Sequence, residues 1–229
     1  MLELSGVRYQ PATAARPVLE NVTFQLAPGQ LALVAGRSGS GKTTLLEVIS
    51  GLAEPERGRI SWSGQRLSAR QRRWLCGLVF QFPERHFLGL SVGQELRLGQ
   101  RRLDGDRLAA VLELVGLSGV SLQQRPEQLS GGQQRRLALA VQLLRDPRVL
   151  LLDEPTAGLD WAVRSDVVDL LAALARERAV LVVTHEPDLF AALTPCTWQL
   201  TQGHLERAPG PDGPGEHHPY DAPIAHGQV

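Results

Sequence analysis

The segment Gly36-Arg37-Ser38-Gly39-Ser40-Gly41-Lys42-Thr43 constrains this chain more than any other. It fits G-x-x-x-x-G-K-[ST], a loop whose backbone N–H groups cradle phosphate oxygens. The chain carries 24 lysines and arginines, and its single lysine is Lys42, inside that loop. Lysine is a compact point charge on a flexible stem, whereas arginine presents a rigid planar fork. A chain that uses arginine at every other basic position marks this one as a place where the fork does not fit. The segment predicts a nucleoside triphosphate site.

The flanks give the loop its context. Leu31-Ala32-Leu33-Val34-Ala35 predicts a buried strand, and Thr44-Leu45-Leu46-Glu47-Val48-Ile49 predicts a helix ending near Gly51. Phosphates would then sit at a helix N-terminus, where orphan N–H donors and the helix dipole favour anions. Lys42 is expected to reach the β- and γ-phosphates, with the Thr43 hydroxyl on Mg²⁺ and Thr44 among the residues touching the nucleotide. The bland reading, a glycine-rich turn that binds nothing, does not explain the strand–loop–helix order.

A chain of 229 residues can bury a sizeable core. Its formal net charge is zero and it has no lysine-rich run, which gives no sign of a nucleic-acid partner. The pairs Arg72-Arg73 and Arg135-Arg136 read as short charged patches on solvated faces. No apolar stretch approaches bilayer length, and Met1 to Gln10 lacks the charged start and apolar core of a signal peptide. Cys76 and Cys196 sit in apolar contexts without metal-ligand spacing and read as free, buried thiols.

Val149-Leu150-Leu151-Leu152 and Ala179-Val180-Leu181-Val182-Val183 predict further parallel strands buried on both faces. Between them, Val163, Val167, Leu170, Leu171 and Leu174 repeat at helical spacing, an α/β pattern. The stretch up to Gln30 alternates like antiparallel strands, with a turn at Pro28-Gly29. From about His86 to Leu144 the pattern is mainly helical, as in Leu108, Val111, Leu112 and Val115, and predicts a helical lobe inserted between core strands. Ala208 to Val229 holds five prolines, four glycines and three histidines with no apolar periodicity, and reads as a disordered tail. His217, His218 and His226 match no defined metal-site spacing.

Asp153 and Glu154 follow directly on the strand 149–152. A carboxylate at a parallel strand's C-terminal end, beside a phosphate loop, can hold Mg²⁺ or its bound water. Its neighbour Glu154 can polarise an attacking water, since phosphoryl transfer needs positioning and charge neutralisation more than covalent chemistry. Leu129-Ser130-Gly131-Gly132-Gln133 has a structural reading, a capping box opening the helix with Leu137, Ala140, Val141 and Leu144. A capped helix start with bare glycine backbone is also an anion site.

Taken together, residues 1–207 resemble the ATP-binding cassette of ABC transporters, and the family's elements occur in order. Tyr9 matches the aromatic that stacks on adenine, residues 36–43 match Walker A, and Gln81 matches the Q-loop glutamine that touches Mg²⁺. Residues 129–133 match the signature motif. Residues 149–154 match Walker B, with Asp153 at the metal and Glu154 as catalytic base. Ala157-Gly158-Leu159-Asp160 matches the D-loop and His185 the switch histidine. The resemblance implies a P-loop NTPase core of RecA-like type, an α/β fold with an N-terminal antiparallel β subdomain and an inserted helical subdomain at about 86–144. It also implies ATP and Mg²⁺ as ligands and a head-to-tail pair of cassettes. In that pair, ATP on one Walker A is capped by Ser130, Gly131, Gly132 and Gln133 of the other, with Asp160 at the junction.

The segment Val79-Phe80-Gln81-Phe82-Pro83-Glu84, followed by Ser91-Val92-Gly93-Gln94-Glu95, is similar to cassettes of the energy-coupling-factor and cobalt-importer group and to plastid relatives. That likeness implies a homodimer or a heterodimer with a second cassette, serving an integral membrane subunit from the cytoplasmic face. Phe82, Phe87 and Leu88 are candidates for the groove that receives that subunit, or equally for packing between the two lobes. The contrasting reading is a soluble ATPase switch without a transporter. Chromosome-type members of that kind interrupt the cassette with long coiled coil, whereas here 87 residues separate Lys42 from Ser130 and no heptads run through them.

Overall fold

The computed structural model describes residues 1–100, 102–194 and 197–208. Cys196 and the histidine-bearing tail beyond 208 lie outside the described residues. Strand β1 (Leu2–Tyr9) and strand β2 (Leu19–Leu26) form an antiparallel ribbon, and a turn at Pro28-Gly29 leads to β3 (Leu31–Ala35). Helix α1 (Lys42–Ser50) follows the glycine loop, ahead of β4 (Arg57–Trp62), β5 (Gln65–Arg66), α2 (Ala69–Leu75) and β6 (Cys76–Val79). Next come α3 (Val92–Arg97), α4 (Gly105–Leu114), α5 (Gly131–Leu143), β7 (Val149–Asp153), α6 (Trp161–Ala175), β8 (Ala179–Thr184), β9 (Thr197–Thr201) and β10 (His204–Arg207).

These strands make two sheets. The antiparallel one runs β2-β1-β4-β5, and the six-stranded one runs β10-β9-β3-β8-β7-β6, with β9-β3-β8-β7-β6 parallel. Every residue of β3, β7 and β8 is buried, as expected for parallel strands covered on both faces. Alternate side chains serve different cores. Val149 and Leu151 join α1 and the antiparallel sheet, while Leu150 and Leu152 join α5, α6 and the helical insertion. Burying each such leucine contributes about 1.5–3 kcal/mol. Truncating Leu151, fully buried, to alanine would cost about 2–5 kcal/mol.

The helical insertion lies between β6 and β7, which are neighbours in the sheet. Its apolar residues Val92, Leu96, Val111 and Leu117 belong to the same buried cluster as Leu150 and Leu152. The insertion is therefore packed directly onto one face of the sheet through α5.

Two of the arginines expected on solvated faces are buried. Arg72 is 3% exposed and donates to Leu67 O, Ala53 O and Glu54 Oε2, and Arg135 is 9% exposed and donates to two backbone carbonyls. Their partners Arg73 and Arg136 do sit further out. The correction has a physical reason: loop carbonyls just beyond strand and helix ends need donors, and a guanidinium supplies several at once.

Candidate nucleotide-binding site

The strand order brings the C-terminal ends of β3, β6, β7 and β8 to one edge of the parallel sheet, the edge where open α/β folds bind ligands. A cavity of about 520 Å³ opens there. One wall is the glycine loop with Ser38, Gly39, Gly41, Lys42, Thr43 and Thr44, and the other holds Gln81, Asp153, Glu154 and His185. The sequence pointed to all ten of these. Val18, from the turn before β2, also lines the cavity.

The loop's glycines have separate tasks. Gly41 caps α1 at φ 102, a left-handed conformation that disfavours a side chain. Gly36 is required by closeness, because a Cβ there would lie 2.5 Å from Ser40 Oγ and 2.7 Å from Leu200 O. Arg37 and Ser40 lie in the loop outside the cavity lining, and Ser40 Oγ is buried without a hydrogen-bond partner. Lys42, 7% exposed, donates to Gly36 O at 2.7 Å and Arg37 O at 3.2 Å, so the loop is closed on its own lysine.

Glu154 is the most heavily constrained acid. Its Oε2 accepts from Thr184 Oγ1 at 3.1 Å and from the His185 backbone N–H at 3.2 Å, and lies 2.8 Å from His185 Nδ1. Its Oε1 lies 3.6 Å from Lys42 Nζ. The backbone of Glu154 is left-handed at φ 47, a conformation that costs a non-glycine residue about 1–3 kcal/mol. Strain of that kind persists only where surrounding contacts hold it, and here they aim a buried carboxylate into a polar cavity. Asp153 accepts from Thr43 Oγ1 at 2.5 Å. Burial pushes its carboxyl above the ordinary range, the Thr43 hydrogen bond opposes this, and the neighbouring Glu154 charge adds to it. Glu47 is pushed up too, by burial first and by Asp153 second.

The remaining predicted residues lie away from this cavity. Tyr9 packs against the antiparallel-sheet core, and its carbonyl accepts from the Val18 N–H at 2.9 Å, placing it one residue pair from the lining. Ser130 caps α5: Gln133 N–H donates to Ser130 Oγ at 3.3 Å and Ser130 N–H to Gln133 Oε1 at 3.0 Å, the reciprocal box predicted from sequence. Gly131 is exposed, whereas Gly132 is packed, since a Cβ on it would fall 2.7 Å from Val163 Cγ1. Asp160 caps α6 through Val163 N–H at 2.9 Å. Thr184, Arg135 and Val18 are the residues that sequence reasoning missed. The first could have been found as the hydroxyl that ends a buried strand directly before His185.

Comparison with known proteins agrees with this geometry. The family model described as ABC transporter matches residues 19–157, and the chain belongs to that family. It is 38% identical over 227 residues to ABC transporter I family member 11, chloroplastic, of Arabidopsis thaliana, covering 91% of this chain and 82% of the relative. It is 39% identical over 193 residues to the energy-coupling factor transporter ATP-binding protein EcfA2 of Symbiobacterium thermophilum, covering 79% of this chain and 67% of that protein. Among solved structures, cbiO1 of Clostridium perfringens, part of the transporter complex cbiONQ, superposes with TM-score 0.79 at 27% identity, covering 89% of this chain and 86% of that one. The dimeric cassette MJ0796, in a post-hydrolysis state with ADP and phosphate, superposes with TM-score 0.78 at 27% identity, covering 93% and 100%. The fold is that of the P-loop ATPases of this family, and the chain is an ATP-hydrolysing subunit of an ABC transporter. No helix among the described residues is long and apolar enough to cross a membrane.

Proposed function

We propose that Glu154 is the base of an ATPase whose complete site needs two cassettes, and that the work is delivered to a separate membrane subunit of an importer for a small solute. The observation that carries this reading is the Glu154 carboxylate itself. It is buried on a strained backbone, its oxygens are held by Thr184, His185 and Lys42, and it faces the same cavity as the glycine cradle. The Gly39–Gly41 backbone and Lys42 take the phosphates of ATP, as fixed donors at a helix start favour anions. Val18, beside Tyr9, marks the side of the cavity on which the base of the nucleotide rests.

Thr43, Asp153 and Gln81 are the residues that fit Mg²⁺. They converge as hard oxygen donors, with Thr43 Oγ1 and Asp153 Oδ2 2.5 Å apart. When bound, that ion neutralises charge on the phosphates. Glu154 orients the attacking water and accepts its proton at a carboxylate oxygen, and His185, 2.8 Å away, steadies that carboxylate. Ser130 and Gly131, exposed at the tip of α5, serve the nucleotide of the other cassette. Exposed Phe82, Leu88 and Leu90, which follow Gln81, supply an apolar surface to the membrane subunit on the cytoplasmic side.

The test is Glu154→Gln, assayed for nucleotide binding and single-turnover hydrolysis. Binding should stay within about threefold while turnover falls about 10²–10⁴-fold. Turnover that survives would remove Glu154 from the role of base.

A further inference from the structure

Parallel neighbours β6 and β7 end together, with Val79 opposite Leu152. Each strand runs on into a loop, so the carbonyls of Gln81 and Pro155 emerge on the same side. One guanidinium spans them: Arg135 donates from Nη1 to Pro155 O at 2.8 Å and from Nη2 to Gln81 O at 3.2 Å. Arg135 stands on α5, five positions after the Ser130 cap, so a single side chain ties together the signature helix, the loop after Gln81 and the loop after Glu154. Its environment is unusual for a cation. It is 9% exposed and makes no ion pair among the described residues. Burial pulls its pKa down, partly offset by the charge of Glu84.

A buried cation bonded only to carbonyls is a weak source of fold stability, because desolvation offsets most of what the bonds contribute. Its positional effect is strong, since the fork fixes two carbonyls at once. Pro155 directly follows Glu154, whose left-handed backbone must be held in place by its neighbours. Further along, the loop that starts at Gln81 is fixed to the helical lobe a second time. There the buried Glu95 of α3 accepts from Leu88 N–H at 2.9 Å and Gly89 N–H at 2.7 Å. Leu88 and Leu90, on either side of Gly89, are 81% and 75% exposed. The loop 81–90 is thus anchored at both ends by residues of the helical lobe, and one of those anchors also holds the peptide after Glu154.

We propose that Arg135 is a positioning residue, setting the Glu154 carboxylate through Pro155 according to where α5 and the Gln81 loop stand. This rests on the ATPase reading. The experiment compares Arg135→Met and Arg135→Lys with the unaltered protein, with Arg136→Met as control. Arg136 pairs with Asp166 at the surface on the same helix. For each protein the melting midpoint, nucleotide Kd, KM and kcat are measured.

Arg135→Met should melt within a few degrees of the unaltered protein, with Kd and KM within about threefold. Its kcat should fall about 10–100-fold, as small misplacements of a reacting group can do. Arg135→Lys, which keeps the charge but cannot fork two carbonyls, should also lose kcat, and it carries the test if the methionine variant fails to fold. The control should match the unaltered protein. A kcat within twofold of the unaltered value, or KM and kcat lost together, overturns the proposal. An unaltered protein without turnover would instead sink the ATPase reading, and the proposal with it.

Discussion

At the glycine cradle, Lys42, Asp153 and Glu154 are buried and each has polar partners within the chain. At the tip of α5, Ser130 and Gly131 are exposed, and a Cβ on Gly131 would meet nothing within 4 Å. Both places present backbone donors at the start of a helix. The cradle is enclosed by its own fold, with walls from four strand ends, while the tip is finished only as a helix cap. The difference teaches where one cassette's own contacts stop: Lys42, Asp153 and Glu154 are held by partners in the same chain, whereas a side chain at Gly131 would meet none of it.

The sharpest way to break this contrast is at the cradle. Lys42→Ala removes a buried cation that holds Gly36 O and Arg37 O, and charge-assisted bonds of this kind are worth about 1.5–3 kcal/mol. Nucleotide affinity, read by titration calorimetry, should fall about 10–100-fold. A change under twofold would show that the backbone alone binds the phosphates.

Gly131→Ala sharpens the contrast from the other side. The added methyl has free space, and alanine favours the helix by about 0.5–1 kcal/mol. The variant should melt no lower than the parent and bind nucleotide as a monomer equally well. Steady-state ATPase activity should nevertheless drop severalfold, because the methyl stands between the helix tip and the other cassette's nucleotide. Unchanged activity would mean that the tip never meets a nucleotide.

Asp153→Asn gives the smallest effect and separates function from stability. A carboxyl whose folded pKa is raised binds its proton more tightly folded than unfolded. The stability it contributes is therefore complete below the unfolded pKa and lost as pH rises through the folded value. At neutral pH without nucleotide, removing this charge should raise the melting midpoint, and it also relieves the push on Glu47. The gain should shrink as pH falls into the carboxylate range, and Mg²⁺ dependence of nucleotide binding should weaken. A lower midpoint at pH 7 would contradict the assignment of burial as the dominant cause.

The cradle was legible because its chemistry is local. Residues 36–43 and the pair Asp153-Glu154 sit on elements with strong patterns, and all-apolar runs declared β3, β7 and β8. The antiparallel partner β4 hid behind Arg57 and Arg59, and β6 is four residues long with a glycine inside. Arg72 and Arg135 were misplaced because charge argues for the surface, and only the fold reveals the carbonyls that draw them inward. Tyr9 was placed by resemblance, and the backbone bond to Val18 puts it beside the lining, not in it.

The claim at the centre is that the site is completed by a second cassette. Sedimentation velocity of Glu154→Gln protein, with and without ATP and Mg²⁺, measures this directly. The account predicts monomers that convert to dimers when both are added, alone or with a cognate second cassette, and revert on adding Gly131→Ala. Monomers under all of these conditions, with nucleotide demonstrably bound, would contradict it.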